Sequence, residues 1–222
     1  MNNLVLITSV INTPKTPLSY SNVRSVYTRE ERYEQTKKTI QSIKAKVPNC
    51  KIIIVECTDF TDVEEQYFEH ECDYVVNLFS NTELHASIFG PSKSLGEGTM
   101  TIEALKYIID NQLRYNNLFK ISGRYLLSDN FTYANFDNTN LVFKKINGDI
   151  NNIFTALYKI PREQTLMLYD FLRINVNNMK NKIGYEVLFG YFIKYIAYQN
   201  IKFYDPIGLA GNVTVCGSVY NG

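Results

Sequence analysis

The stretch "LFKISGRYLLSD", residues 118–129, decides how this sequence is interpreted. An apolar run with one lysine ends in Ser-Gly-Arg-Tyr, and two leucines follow. Such a run is typical of a buried β-strand, and in an open α/β sheet ligands bind outside the carboxyl ends of the strands. The sequence therefore predicts that Gly123 and Arg124 lie at the ligand-binding edge of a sheet.

The residues around this strand end have the chemistry of an anion site. Lys120 and Arg124 carry positive charge, and a guanidinium can hold a phosphate through two parallel hydrogen bonds. Ser122 is small, and Gly123 permits a close approach or an unusual turn. A structural alternative stays open, in which Arg124 caps a helix C-terminus or pairs with an aspartate.

Strands and helices alternate on the N-terminal side of this stretch. Residues 4–8 and 51–56 are predicted to be buried strands, and the continuous apolar run of the second favours helices on both faces of the sheet. A capping box, Thr28 with Glu31, predicts a helix from this point to about residue 46. Residues 99–112 have the apolar spacing of an amphipathic helix.

The remaining segments complete an α/β pattern. They are predicted as a short helix at 58–71, a strand at 73–78, a loop at 80–98, a strand at 139–146, a helix at 161–179 that begins with Pro161, a helix at 184–200, and a last strand and loop at 201–213. The order becomes irregular after the first half. The pattern therefore predicts a single α/β domain over residues 1–222, Rossmann-like, with one mixed, mostly parallel sheet flanked by helices.

Composition excludes several classes of protein. The 222 residues are 45% hydrophobic and 20% charged, which is incompatible with a disordered chain, and the net charge of +1 gives no reason to expect a nucleic-acid partner. No apolar run reaches the roughly 18 residues of a membrane span, and the first run is too short for a signal peptide. The four cysteines lack CxxC spacing, so we expect reduced thiols and a cytoplasmic protein, in the host cytoplasm if the chain is viral.

Polar residues close the first two predicted strands. Thr8 and Ser9 follow the first strand, and Glu56 ends the second. Because the two strands are expected to end at the same edge of the sheet, these side chains are candidates for binding a base or a ribose. The alternative is that they cap the helices that follow.

Cations and glycines near two helix starts are further candidates. Arg32 lies in a first helical turn, where a cation opposes the helix dipole unless an anion is near. Gly96, in "PSKSLGEGT" (residues 91–99), costs about 1 kcal/mol in a helix interior, which suggests a close approach to a ligand, with Lys93 facing an anion. A plain loop before a helix is the alternative, and the glycine spacing matches neither a P-loop nor a dinucleotide fingerprint.

Glu186 lies within the apolar stretch "GYEVLFGYF". A carboxylate among apolar side chains requires a partner or a purpose. One interpretation is a general base with a raised pKa, and the other is an ion pair with a lysine or arginine of the site.

Taken in order, these segments resemble a GT-A-type glycosyltransferase over nearly the whole chain. "LVLITSV" resembles the opening nucleotide-binding strand, "REERYEQTKKTIQSIKAKVPNCKIIIVECT" the first helix and second strand, and "SLGEGTMTIEALKYI" the helix before the donor-site strand. "NNLFKISGRYLLSD" falls where these enzymes carry Asp-x-Asp, and "GYEVLFGYFI" resembles the late helix whose acid faces the acceptor. The K-I-S-G-R-Y stretch is also similar to a group of uncharacterised viral and bacterial proteins regarded as glycosyltransferases.

The resemblance implies sugar transfer from a nucleotide-diphosphate sugar to a glycan or another hydroxyl acceptor. The catalytic residues would be Glu186 and Arg124, and the residues that bind the donor would be Thr8, Ser9, Arg32, Glu56, Lys93, Gly96, Lys120, Ser122, Gly123 and Tyr125. Donor base, sugar, acceptor, stereochemistry and oligomeric state stay open.

The chain departs from the family at the metal site. In the family, the Asp-x-Asp carboxylates bind a divalent cation that neutralises the diphosphate, whereas this chain has Ser122-Gly123-Arg124. We therefore expect a metal-independent enzyme that requires no cofactor, in which Arg124 with Lys93 or Lys120 supplies the charge. The alternatives are Mn²⁺ or Mg²⁺ held by downstream carboxylates, a non-catalytic module that binds nucleotide or glycan, and a sugar-phosphate nucleotidyltransferase.

Overall fold

The computed structural model describes residues 2–196, 200–212 and 216–222. The strands are β1 (Asn3–Ser9), β2 (Cys50–Glu56), β3 (Tyr74–Asn77), β4 (Asn117–Ser122), β5 (Tyr125–Leu127), β6 (Leu141–Ile146), β7 (Asp149–Pro161), β8 (Ile201–Phe203), β9 (Leu209–Asn212) and β10 (Val219–Asn221). The helices are α1 (Arg29–Lys46), α2 (Asp62–Glu71), α3 (Thr82–Ile88), α4 (Lys93–Asp110), α5 (Thr165–Ile174), α6 (Val176–Lys180) and α7 (Tyr185–Tyr195).

Among the described residues, seven strands form one mixed sheet in the order β3-β2-β1-β4-β7-β6-β8. The four strands β3, β2, β1 and β4 are parallel, β7 runs antiparallel to β4 and to β6, and β8 is parallel to β6. A second sheet has the order β10-β9-β5. The predicted α/β fold with a mixed, mostly parallel central sheet is thus confirmed.

The central sheet is covered on both faces, as the continuous apolar strands indicate. Successive side chains of a strand point to opposite faces. In β1, Leu4 and Leu6 pack in the cluster that contains buried residues of α4 and α7, whereas Val5 and Ile7 pack in the cluster that contains Ile40 of α1. Because helices occupy both sides, the sheet exposes its ligand-accessible groups at the strand ends.

Helix α1 begins and is anchored as local chemistry dictates. Thr28 Oγ1 accepts from the Glu31 amide at 3.2 Å, and the Glu31 carboxylate accepts from the Thr28 amide at 2.8 Å, so the predicted capping box is confirmed. Three hydroxyls spaced three residues apart on α1, which we call the hydroxyl row (Thr36, Thr39 and Ser42), lie against β5 and the turn before it.

The hydroxyl row bonds to the backbone that follows β4. Thr36 Oγ1 lies 3.0 Å from the Gly123 carbonyl oxygen, and Thr39 Oγ1 donates to the Tyr125 carbonyl. Ser42 Oγ accepts from the Leu127 amide at 3.0 Å. Side-chain hydroxyls of a helix therefore satisfy backbone groups of β5 that a neighbouring strand would otherwise satisfy.

The segment 80–98 is not the loop that the sequence predicts. It contains α3, and α4 already begins at Lys93. A Cβ on Gly96 would lie 2.7 Å from the Ile88 carbonyl oxygen, and one on Gly98 would lie 2.1 Å from Sδ of Met179. The two glycines are therefore helical residues at which neighbouring elements pack closely, and this requirement outweighs their low helix propensity.

The longest strand, β7, and the start of α5 also differ from the predictions. The sequence predicts no strand or helix at residues 149–160, which the structure places in β7. The helix predicted at 161–179 is two helices, α5 and α6. Pro161 does not open a helix: its backbone is extended (ψ 154°), it ends β7, and a 3₁₀ turn over Arg162–Gln164 precedes α5. Of the helix predicted at 184–200, residues 197–199 lie outside the described residues, as do residue 213 of the last predicted segment and its neighbours.

Candidate functional site

The β4–β5 junction, where the opening stretch of sequence bends, lies at the carboxyl edge of the central sheet. The Gly123 amide donates to the Thr8 carbonyl of β1 at 2.9 Å, and the Arg124 amide donates to the Ser122 carbonyl at 2.8 Å. A Cβ on Gly123 would lie 2.9 Å from Cβ of Ser9. Close packing of two strand ends therefore explains this glycine, and the first side chain free to leave the edge is that of Arg124.

Two pockets meet at this edge. The first pocket has a volume of about 260 Å³ and is bounded by the start of α4, the β4–β5 junction, β7 and the start of α7. The second pocket has a volume of about 90 Å³ and is bounded by the residues after β1, by α3 and by α4. Lys93, Glu97 and Arg124 line both pockets, so they mark the junction between them.

Arg124 projects into this junction without an ionic partner. Its Nε is buried and has no hydrogen-bond partner in the described part of the chain, and the guanidinium carbon lies 5.6 Å from the centre of the Tyr125 ring. Within the described ranges it makes no ion pair with a carboxylate. The structural alternative for Arg124 was a helix C-terminal cap or a pair with an aspartate. The pair with an aspartate is absent from the described part of the chain.

The second pocket combines an apolar wall with two more arginines, Arg24 and Arg32. Arg32 is 4% exposed; its Nε donates to the Val10 carbonyl, and its buried Nη1 has no partner. Burial, and next the positive charge of Arg124, lower the pKa of Arg32 to about 9. Because guanidinium groups do not lose their proton in proteins, this shift marks a buried cation whose burial the charge of Glu56 does not fully offset, and which a further anion would stabilise.

A buried ion pair forms the floor between β1, β4 and α4. Lys120 is 1% exposed and donates to the Glu97 carboxylate, to Ser122 Oγ at 2.9 Å and to the Thr155 carbonyl at 3.1 Å. Thr8 Oγ1 donates to the same carboxylate at 3.0 Å. Burial opposes ionisation of Glu97, but the charge and hydrogen bond of Lys120 outweigh it, and the pKa of Glu97 is lowered. The charge of Lys120 is therefore already compensated within the protein.

Glu97 was missed in the sequence, although it stands within the quoted glycine segment. The available signal was its spacing: a helix that begins at Lys93 places residue 97 one turn later, on the face that turns toward the sheet. Because the sequence predicts a helix only from residue 99, residue 97 falls in a predicted loop and is not identified as a residue that faces the sheet.

Three polar residues predicted to bind the ligand, Thr8, Ser9 and Glu56, make hydrogen bonds within the protein instead. Glu56 is fully buried, and one carboxylate oxygen accepts from the Ile11 amide at 3.2 Å, the Cys57 amide at 2.9 Å and Thr58 Oγ1 at 2.8 Å. Burial raises the pKa of Glu56. Ser9 Oγ lies 2.9 Å from Thr36 Oγ1. Neither these two residues nor Thr8 lines either of the two pockets.

The other predicted residues lie on the pocket walls. Ser122, Tyr125 and Glu186 line the first pocket, and Gly96 lines the second. Glu186 lies in the first turn of α7 and is half-buried. Lys93 lies at the junction of the two pockets, where desolvation, followed by the charge of Arg124, lowers the pKa of its ammonium.

The side chains present do not fit a divalent cation at the strand end. The position expected to carry two carboxylates has a serine, a glycine and an arginine. Within residues 2–196, 200–212 and 216–222, no three histidine, cysteine or acidic side chains cluster as metal ligands. Asp129 pairs with Lys46 at 3.2 Å, and Asp137 accepts from the Tyr133 hydroxyl at 3.1 Å, so the two downstream carboxylates have other partners.

In the described ranges, no helix has both the length and the apolar character needed to cross a lipid bilayer. No protein-family model matches the chain, and no curated protein matches its sequence.

Solved structures match its fold. A proposed nucleotide-diphospho-sugar transferase of Desulfovibrio desulfuricans G20 matches with a TM-score of 0.50 and 8% identity, over 92% of this chain and 80% of that one. The galactosyltransferase LgtC, in complex with donor and acceptor sugar analogues, matches with a TM-score of 0.53 and 8% identity, over 90% and 72%. The apo form of the glycosyltransferase GlyE of Streptococcus pneumoniae TIGR4 matches with a TM-score of 0.52 and 9% identity, over 92% and 45%. The chain therefore has a GT-A-like fold, and at such low identity the likeness extends to the fold alone.

Proposed function

We propose that the chain is a glycosyltransferase that moves a sugar from a nucleotide-diphosphate sugar to a hydroxyl acceptor. The observation that carries the proposal is the guanidinium of Arg124, which makes no ion pair within the described residues and lies at the junction of two pockets, at the carboxyl edge of the parallel strands. The fold shared with a galactosyltransferase whose structure contains donor and acceptor analogues supports the same assignment.

The two pockets divide the donor between them. The second pocket offers an apolar wall to a base, and Arg24, Arg32 and Arg124 also line it. Arg32 Nη1 and Arg124 Nε are buried donors without partners, and an unsatisfied buried donor costs about 1–3 kcal/mol, more when it is charged. A diphosphate at the junction satisfies both, which leaves the larger first pocket for the transferred sugar and the acceptor.

Positive side chains take the place of a metal ion in this proposal. The diphosphate of a nucleotide sugar carries two negative charges, and it gains a third as the bond to the sugar breaks. Arg32, Arg124 and Lys93 supply matching charge from fixed positions, and preorganised charge at a developing anion is the strongest single contribution to many enzymatic rates. Lys120 contributes less, because Glu97 neutralises it.

Glu186 is the candidate general base. In an inverting transfer, the acceptor oxygen forms a bond to the anomeric carbon, the bond from that carbon to the diphosphate oxygen breaks, and the electron pair leaves on the diphosphate. The acceptor proton passes to the Glu186 carboxylate, which lines the first pocket. In a retaining transfer no such base is required, and Glu186 orients the acceptor.

A second candidate is a non-catalytic module that binds a nucleotide or glycan through the same pockets. The absence of the carboxylate pair from the end of β4 favours it. A nucleotidyltransferase requires metal-binding carboxylates, which the described site does not provide. The similarity of the K-I-S-G-R-Y stretch to viral and bacterial proteins regarded as glycosyltransferases favours sugar transfer over binding alone. From the sequence we further infer that the protein is cytoplasmic and that its acceptor is not a nucleic acid.

Ligand binding tests the proposal directly. Nucleoside diphosphates and nucleotide sugars are titrated into the protein by calorimetry, once with EDTA and once with Mn²⁺. We expect binding in EDTA, and we expect Arg124→Met to weaken it about 10- to 100-fold, which corresponds to one charge-assisted contact of about 1.5–3 kcal/mol. Arg173→Met, an exposed arginine on α5, is the control.

Turnover then separates the two candidates. Release of nucleoside diphosphate from a donor panel, with acceptor sugars present, indicates transfer, and Glu186→Gln should lower the rate while leaving donor affinity unchanged. Binding without turnover of any donor identifies the non-catalytic module. Binding that disappears in EDTA, or that Arg124→Met leaves unchanged, contradicts the proposed site.

A further inference from the structure

The N-terminus of α4 opens into the first pocket without an anionic partner. Ser92 caps the helix by accepting from the Leu95 amide at 3.2 Å, and the first turn contains no acidic residue. The amides of Lys93 and Ser94 have no acceptor in the described part of the chain. Helix N-termini attract anions because their free amides and the helix dipole act together, and α4 has 18 residues.

Ser94 adds an independent sign of a missing ligand. The residue is 7% exposed and lines the first pocket, and its Oγ has no hydrogen-bond partner among the residues that the structure describes. A buried hydroxyl without a partner costs about 1–3 kcal/mol, and an alanine would avoid this cost. A bound oxygen atom at the start of α4 would accept hydrogen bonds from this hydroxyl and from the free amides.

The charges around this position are predominantly positive. Lys93 stands in the first turn of α4, where a cation is unfavourable unless an anion is bound nearby. Lys182, in the turn between α6 and α7, is exposed and lines the same pocket. The pocket has two carboxylates, of which Glu97 is paired with Lys120, so Glu186 is the one that faces these lysines.

The position relative to Glu186 points to the acceptor rather than the donor. The donor diphosphate is assigned to Arg32 and Arg124 at the junction with the second pocket. Lys182 and the candidate base Glu186 line the same pocket of about 260 Å³ as Ser94. A hydroxyl that gives its proton to Glu186 therefore belongs to a molecule that also lies within reach of Lys182 and the start of α4.

We propose that the acceptor carries an anionic group, a phosphate or a carboxylate, that binds to Ser94, the N-terminus of α4 and Lys182. The inference rests on the proposed function and adds the chemical class of its acceptor. The two anions share the chemistry of the subsite, so the experiment distinguishes them.

The test measures the affinity of matched sugars with a nucleoside diphosphate bound at saturation. Glucose, galactose and mannose are each titrated in neutral, 6-phosphorylated and 6-carboxylated form. We expect at least one acidic form to bind about 10-fold more tightly than its neutral counterpart, as charge-assisted hydrogen bonds require. The preference between phosphate and carboxylate identifies the group.

Variants assign the effect to the subsite. Ser94→Ala and Lys182→Gln should each reduce the preference for the acidic sugar about 3- to 10-fold, the contribution of one hydrogen bond or ion contact, and leave nucleotide affinity unchanged. Lys180→Gln, an exposed lysine on α6 outside the pocket, should change neither. Because the Ser94 hydroxyl has no partner, Ser94→Ala is expected to fold normally.

Two results overturn the inference while the proposed function stands. One is equal affinity for acidic and neutral sugars throughout the panel. The other is that Ser94→Ala weakens nucleoside diphosphate binding as much as acidic-sugar binding, which places the diphosphate itself at α4. If no nucleoside diphosphate binds but the acidic sugars still bind preferentially, the proposed function fails and the anion subsite stands.

Discussion

The buried pair Lys120–Glu97 allows a quantitative test of how the floor of the site is stabilised. Lys120 is 1% exposed, and the Glu97 side chain is 20% exposed. Removing one partner of a buried ion pair typically costs about 3–5 kcal/mol, because the other charge stays buried without compensation. We therefore expect Glu97→Gln and Lys120→Met each to lower the free energy of unfolding by about 3 kcal/mol.

The double variant should be far more stable than the two single costs predict. Met has nearly the shape of an uncharged lysine, Gln keeps the acceptor for Thr8, and replacing both charges of a buried pair is often close to neutral. We expect a coupling free energy of about 3 kcal/mol, which is large against the roughly 5–15 kcal/mol of a whole domain.

The measurement is a double-mutant cycle by urea unfolding. The chain has 17 tyrosines and no tryptophan, so tyrosine fluorescence and far-ultraviolet circular dichroism follow the transition. Coincident curves and a constant dependence on urea concentration confirm that all four proteins unfold in one step. If the two single effects add to within about 0.5 kcal/mol, the side chains are not coupled and the ion pair described above does not exist in solution.

Three further predictions concern packing, pH and the hydroxyl row. Gly96→Ala should lower stability by about 1–3 kcal/mol, because the added Cβ meets the Ile88 carbonyl 2.7 Å away, and an unchanged melting temperature contradicts this contact. Burial lowers the pKa of Lys159, which is 0% exposed, from 10.5 to about 8, so the unfolded chain binds more protons between these values. Urea titrations compare the wild-type protein with Lys159→Met. The wild-type free energy of unfolding, relative to that of the variant, should rise by about 3 kcal/mol from pH 8 to 10.5. If the difference between the two free energies of unfolding does not depend on pH, the pKa of Lys159 is not lowered. Thr36→Val removes the hydroxyl that lies 3.0 Å from the carbonyl oxygens of both Arg32 and Gly123, so it should cost about 1–3 kcal/mol of stability and weaken nucleoside diphosphate binding. A loss of stability with unchanged affinity would show that the turn at Gly123 does not affect the site.

Local sequence signals were sufficient for the first half of the sheet. The runs at 4–8 and 51–56 became β1 and β2, since a strand covered on both faces is apolar at every position. Thr28 and Glu31 formed the predicted capping box, because both partners of that motif lie within four residues. The parallel order of these strands followed from these elements.

Long-range packing decided the features that the sequence did not reveal. The glycines at 96 and 98 suggest a loop in isolation, and only the proximity of α3 and of Met179 explains them within a helix. In β7, Asn151 and Asn152 obscure the alternation, and Lys159 is buried because its ammonium donates to the carbonyls of Asn138 and Asn140, which are distant in sequence.

The candidate site was predictable in part for the same reason. The position of Arg124 at the strand end was predictable because its residue type and its place after an apolar strand are both local. Glu56 suggested a ligand contact, yet its carboxylate accepts from the chain that follows β1 and β2, which depends on how two strand ends meet. Glu97 required the correct start of α4 and was not found.

The hydroxyl row bears on whether the repulsion between Arg32 and Arg124 is overcome during folding or during ligand binding. Arg32 and Thr36 are one turn apart on α1, and Thr36 Oγ1 lies 3.0 Å from the Gly123 carbonyl oxygen, so α1 contacts both backbone segments that carry the two guanidinium groups. Their mutual repulsion is overcome while the chain folds, and not at the moment when a ligand arrives. An incoming anion therefore relieves a repulsion between Arg32 and Arg124 that the folded chain already contains.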